Sequence, residues 1–311
     1  MLNLLFSFLI SLSYFFQSKD KCGVVVEANT KRPIPYASIY FASEAVGVFS
    51  DENGHYCLPV AQKNTLDSVR VSSLGYFKTS LSLSAFVNRD TIFLQSSPIV
   101  LENVLVTRSK TKPTLQEIGY SKEKLVELVE RGYCPNSSFK IATYIEHTLA
   151  GTWVIRKVKC RTIPKENPFV QSYRIRLRLY SHSSFTQQPN RDMLVKNHVV
   201  DISPSQKSAD FELDEQIYVP EDGFWIGVEC VGYITQNGEY KTIKDGEFGS
   251  FKLKNTKKFK IESSQRIAPM YLYKKTKPKT TVESRWNDRW KGISYEPNLT
   301  FCFGAVIEKV N

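Results

Sequence analysis

From Cys22 onward, apolar and polar residues alternate in short runs separated by turn residues. Successive side chains of an extended strand point to opposite faces, so a period of two predicts half-buried strands. Gly23–Glu27 reads as the first of them. Pro33 and Pro35 then bar a helix and hold the chain extended. Ala37, Ile39 and Phe41 face one way, and Ser38 and Tyr40 the other. Asn53-Gly54 marks a turn, because it supplies the positive φ that a tight turn requires. The alternation resumes at Tyr56, Leu58 and Val60, at Val69 and Val71, at Leu81 and Leu83, at Ile92 and Leu94, and at Val104 and Val106. Seven or so short strands with regular turns predict a β-sandwich over residues 22–107.

Residues 108–138 read as a linker. Arg108 to Gly119 is polar and contains Pro113, and a helix is predicted over Ser121–Arg131. Ser121 caps it, Leu125, Leu128 and Val129 form one apolar stripe, and Gly132 ends it. From Phe139 the period of two returns. Ile141, Thr143 and Ile145 alternate with Ala142 and Tyr144. Tyr173, Ile175, Leu177 and Leu179 face inward, while Arg174, Arg176 and Arg178 face outward. Phe224, Ile226, Val228 and Cys230 make a further inward row, and Leu299, Phe301 and Phe303 a late one. Residues 139–311 are therefore predicted to form a second β-sandwich of jelly-roll type. The whole reads as an all-β protein of two modules.

The motifs of the first module carry a family resemblance. Gly-Val-Val-Val at 23–26, Pro-Ile-Pro-Tyr-Ala-Ser-Ile at 33–39, Ser-Asp-Glu-Asn-Gly-His-Tyr at 50–56, Val-Ser-Ser-Leu-Gly-Tyr at 71–76 and Leu-Glu-Asn-Val-Leu-Val at 101–106 stand in order. Together they resemble the carboxypeptidase regulatory-like domain. The resemblance implies a seven-stranded Ig/transthyretin-like sandwich and an envelope setting, and it carries no catalytic residue. Residues 172–233 resemble jelly-roll domains that accompany such modules. That match rests on Arg-Ile-Arg-Leu-Arg-Leu-Tyr at 174–180 and Pro-Glu-Asp-Gly-Phe-Trp-Ile-Gly-Val-Glu at 220–229. An outer-membrane or envelope protein is the expected partner, in keeping with the envelope setting that the first resemblance implies.

The N-terminus changes the picture of the compartment. Leu4 to Phe16 is apolar except for Ser7, Ser11 and Ser13. As a helix it is too short to cross a hydrocarbon core of about 30 Å. It has the length of a signal-peptide core, so residues 1–21 are predicted to be a signal peptide. Export to the periplasm, or to the periplasmic face of the outer membrane, follows, with no membrane span in the mature chain. Six cysteines are present: Cys22, Cys57, Cys134, Cys160, Cys230 and Cys302. An oxidising compartment permits disulfides, but mostly unbridged thiols are expected, because several of these cysteines sit in strands as small apolar residues.

The net charge of +11 is placed after the first module, over the linker and the second module together. Residues 22–107 hold 6 Lys and Arg against 7 Asp and Glu, and residues 108–311 hold 34 against 23. Most of the excess falls between Lys252 and Lys291. A solvated surface accounts for it, and nucleic acid is not an expected partner of an exported chain.

Chemistry is otherwise sparse. None of the four histidines lies in a His-x-x-Glu or H-E-x-x-H motif, and no C-x-x-C, G-x-S-x-G or phosphate-binding glycine loop occurs. No cofactor, metal or catalytic residue is predicted. Six residues are candidates for ligand contact. Trp225, Trp286 and Trp290 offer flat rings that could stack on a sugar, which makes a glycan the alternative partner. Arg174, Arg176 and Arg178 line one strand face and would either bind an anion or pair with acids on a neighbouring strand.

Overall fold

The computed structural model describes residues 20–42, 47–60, 67–97, 113–121, 139–162, 167–242, 272–274, 280–284, 289–292 and 299–310. The apolar run Leu4–Phe16, the strand expected at Val104 and Val106, the helix expected after Ser121, and Trp286 all lie outside these residues.

In chain order the first module contains β1 (Asp20–Glu27), β2 (Ser38–Phe41), β3 (Gly47–Phe49), β4 (His55–Pro59), β5 (Ser68–Ser72), β6 (Thr79–Ser82), the short helix α1 (Leu83–Val87) and β7 (Thr91–Leu94). They form two sheets, β4-β1-β7 and β3-β2-β5-β6. The inward rows are those the alternation predicts. Val25, Leu58 and Ile92 on one sheet meet Ile39, Phe41, Val69 and Val71 on the other, all buried. Full burial of each such side chain is worth roughly 1.5–3 kcal/mol.

The Asn53-Gly54 turn is confirmed in detail. Gly54 has φ +76, and a Cβ there would stand 2.6 Å from the Val25 carbonyl oxygen. Asp51 Oδ1 accepts from the backbone N–H groups of Asn53 at 2.9 Å and His55 at 2.8 Å, which fixes the turn from within.

Two local expectations change. Leu83 does not continue a strand from Leu81 but begins α1. The Ser82 hydroxyl accepts from the Ala85 N–H and so caps a helix, and Leu83 and Phe86, three apart, fall on its buried face. The strand β3 was not expected, because three residues are too few to establish a period.

The second module contains β8 (Leu115–Gly119), β9 (Phe139–Ile145), β10 (Trp153–Arg161), β11 (Val170–Ser183), β12 (Gln188–Asp192), β13 (Val199–Ile202), β14 (Ser208–Tyr218), β15 (Phe224–Thr235), β16 (Tyr240–Thr242), β17 (Leu272–Lys274), β18 (Thr280–Ser284), β19 (Arg289–Gly292), β20 (Leu299–Phe301) and β21 (Phe303–Lys309). One sheet has the order β14-β10-β21-β8. A larger one has the order β12-β11-β15-β9-β18-β19, with β13 beside β11 and β16 beside β15. Their facing sides bury one core, in which Ile175, Leu177, Leu179, Phe224, Ile226 and Val228 meet Ile155, Val158, Phe211, Phe303 and Ile307.

The polar stretch before Gly119 is thus not all linker. Leu115–Gly119 pairs with β21 at the edge of the smaller sheet, where only Ile118 needs burial and the other side chains remain in or near solvent.

Candidate functional site

The outer face of the larger sheet carries four of the residues singled out by the sequence, Arg174, Arg176, Arg178 and Trp225. Because β11 alternates, Ile175, Leu177 and Leu179 point into the core while Arg174, Arg176 and Arg178 point away from it. They do not point into water. Arg176 and Glu229 are cross-strand partners on β11 and β15, and their side chains are 3 % and 0 % exposed. Arg176 Nε donates to Glu229 Oε1 at 2.8 Å, and Arg178 Nε lies 3.6 Å from the same oxygen. Arg178 also pairs with Asp192 on β12 at 2.7 Å. Burial works against the Arg178 charge, but Asp192, Tyr180 and Glu229 outweigh it and hold its pKa above the ordinary value.

Arg174 faces Asp201 across the β11–β13 ladder and donates to both of its carboxylate oxygens, at 2.7 and 2.6 Å. This two-point contact suits a planar guanidinium and a carboxylate. It is the largest of the influences that raise the Arg174 pKa. Acids on neighbouring strands therefore hold all three arginines.

The first module covers the part of this face around Arg174 and Arg176. Arg174 Nη1 donates to the Glu52 carboxylate and, at 3.1 Å, to the Tyr36 hydroxyl. Arg176 Nη1 donates to the Tyr36 backbone carbonyl at 2.6 Å. Tyr36 stands at φ +56, in the left-handed region, in the turn that precedes β2. An apolar seam surrounds the polar contacts, with Tyr36 and Phe49 packed on Val231 and on Val199 and Tyr240. The guanidinium of Arg176 lies over the Phe49 ring at 4.9 Å, and that of Arg174 over the Tyr240 ring at 5.1 Å. Gly232 makes room for that ring, because a Cβ there would stand 2.4 Å from it. Burial pushes the Tyr36 phenol up to about 12 and raises that of Tyr240 further. Beside this seam, Leu74 packs against the core of the second module, and Gly75 faces the Val195 carbonyl.

Trp225 is corrected as a ligand-stacking candidate. It shares the outer face but is 0 % exposed, packed with Ala142, Tyr144 and Tyr180. Its indole N–H donates to His182 Nδ1 at 3.1 Å, so both ring faces and the polar edge are engaged within the protein. Trp290 lies in β19 opposite Glu283.

Of the described cysteines three are unbridged, as expected, and two are bridged; Cys134 lies outside the described residues. Cys22 and Cys57 face each other on β1 and β4 and form a disulfide across 35 positions of sequence. Cys160, Cys230 and Cys302 are buried thiols, and burial pushes the Cys160 pKa well up. Among the described residues, no group of three or more His, Cys, Asp and Glu is placed to hold a metal ion. No helix among them is long and apolar enough to cross a membrane.

The first module is a β-sandwich of two packed sheets. Residues 22–106 match the family model of the CarboxypepD_reg-like domain, which ends before the second pair of sheets. No curated protein and no solved structure matches the chain.

The roles of Glu52, Tyr36 and Glu229 escaped the sequence reading. For Glu229 a signal was present, since a lone carboxylate inside the run 224–231 of apolar residues has to meet a buried cation. Nothing in the sequence around Tyr36 announces that its carbonyl meets an arginine of the other module.

Proposed function

We propose that this chain is a non-catalytic envelope protein that acts by binding, with the regulatory-like module serving as a fixed docking or spacer element. The observation that carries the reading is the contact of Arg174 and Arg176 with Tyr36 and Glu52. The first module is bonded to the sheet of the second through its main chain as well as its side chains. A module held in this way presents its remaining surface in a set orientation, which suits a scaffold for a partner. The Cys22–Cys57 disulfide supports an oxidising compartment, and the Leu4–Phe16 run supports export to the periplasm or the periplasmic face of the outer membrane. A cysteine engaged in a disulfide has no thiol left to carry a lipid, so anchoring through Cys22 is disfavoured.

The test is fractionation of cells that make the full chain, combined with thiol labelling and crosslinking in place. The expected result is recovery from the envelope fraction, with Cys22 and Cys57 protected from alkylation until reduced, crosslinked to a defined envelope protein. Recovery from the cytoplasm with both cysteines alkylated would overturn the compartment. Turnover of a substrate that a single Cys, His or Asp substitution abolishes would overturn the non-catalytic reading.

A further inference from the structure

Cys22 and Cys57 stand on the outer face of the β4-β1-β7 sheet. Val25, Tyr56 and Leu58 fill its core side, and the alternation turns their neighbours outward. The contacts described with the second module come from elsewhere, from Tyr36, Phe49, Glu52, Leu74 and Gly75. The bridge therefore lies apart from the seam between the modules. It also meets solvent, since Cys22 is exposed and Cys57 half-buried. The outer face around it is apolar, with Val24 and Pro59 half-buried and Phe93 of β7 47 % exposed.

The two sulfurs are not equivalent. Thiol–disulfide exchange begins with a thiolate attacking one sulfur while the other leaves, and access decides which is attacked. Cys22 is the exposed one. Attack there forms a bond from the incoming sulfur to Cys22, breaks the Cys22–Cys57 bond, and releases Cys57 as a thiolate that takes a proton from water. The backbone ladder runs from Asp20 opposite Pro59 to Val24 opposite His55. It brackets the cysteines, so Cys57 stays opposite Cys22 once the bridge opens. Cys57 can then attack Cys22 and expel the incoming thiol, which restores the starting state. Where the incoming molecule carries a second thiol, that thiol attacks the partner sulfur bonded to Cys22 instead. The partner then leaves as a disulfide, oxidised by two electrons, and Cys22 and Cys57 remain as the reduced pair. Cys160, Cys230 and Cys302 are buried and take no part.

We propose that Cys22–Cys57 is a reversible thiol-exchange site, entered at Cys22 by an external thiolate and closed again by Cys57. This goes beyond the binding role proposed above. It is tested on purified protein, so its failure is separate from a failure of the compartment or of the binding role.

Single variants test the inequality of the two sulfurs. Cys57→Ser leaves Cys22 alone and Cys22→Ser leaves Cys57 alone. With both shown folded by circular dichroism, Cys57→Ser should react with an aromatic disulfide reagent about tenfold faster or more. Equal rates, or a faster Cys22→Ser, overturn the proposal. Both variants lose the bridge and its stabilisation, so the unaltered chain is measured as well. It is mixed with excess reduced glutathione, or with a thioredoxin lacking its second active-site cysteine, then quenched in acid and mapped by mass spectrometry. The adduct is expected on Cys22 over Cys57 by about tenfold or more, a preference that disappears in urea. Capture of the thioredoxin assigns the site to protein dithiols, and glutathione alone assigns it to small thiols. No adduct on the folded chain, or one found as often on Cys57, refutes the exchange site.

Discussion

Replacing Glu229 by Gln tests whether the arginine face is held from below by a buried charge. The carboxylate is 0 % exposed and lies 2.8 Å from Arg176 and 3.6 Å from Arg178. At an effective dielectric of about 20, each contact corresponds to roughly 5 kcal/mol of attraction, much of which offsets the cost of taking the charges out of water. Gln keeps the shape and one hydrogen-bond acceptor but leaves the guanidiniums without that counter-charge. Breaking a buried pair from one side costs about 3–5 kcal/mol, and Glu229→Gln is expected in that range. Glu52→Gln, at an exposed carboxylate, should cost about 1 kcal/mol or less. The assay is urea unfolding of the full chain followed by circular dichroism. With a slope of about 3 kcal/mol per molar, the midpoint of Glu229→Gln should fall by about 1 M or more, and that of Glu52→Gln by about 0.3 M or less. If Glu229→Gln unfolds within 0.3 M of the unaltered chain, or Glu52→Gln loses as much as Glu229→Gln, the arginine face is not organised from within the sheet.

The remaining predictions concern the first module. Cys22→Ser with Cys57→Ser opens a loop of 35 positions, for which the chain-entropy relation gives about 4 kcal/mol; thermal unfolding of the pair beside the oxidised chain measures it, and an unchanged midpoint counts against a structural role. Gly54→Ala should destabilise by well over 1 kcal/mol, because the left-handed backbone and the Val25 oxygen at 2.6 Å act together; a loss below 0.5 kcal/mol in urea would show that the turn relaxes freely. The phenols of Tyr36 and Tyr56, raised by burial to about 12 from the usual 10, should titrate late in absorbance at 295 nm. Above pH 10 the unfolded chain releases protons that the folded chain retains, so their contribution is complete below pH 10 and is lost between pH 10 and 12. Titration of every tyrosine near 10 before unfolding would contradict the burial.

The rows that build each core were legible because burial on one side only forces a period of two. Ile39, Val71, Ile92, Leu177 and Ile226 all point where the alternation puts them. What the pattern does not encode is what lies on the other face. A strand such as β11, with apolar residues inward and arginines outward, has the same alternation whether the arginines meet water or another sheet. Only the acids complete the distinction, and they lie far away in sequence: Glu229 on β15, Asp201 on β13, Glu52 in another module. Arg174 and Arg176 were therefore visible as candidates but not as an interface. Trp225 is buried differently, by Ala142, Tyr144, Tyr180 and His182 of its own sheet, neighbours that are likewise distant in sequence. Pairing is what lets the arginine row be buried, since a guanidinium taken out of water without its carboxylate would cost several kcal/mol, and Arg176 with Glu229 is the pair that meets this demand from within the sheet.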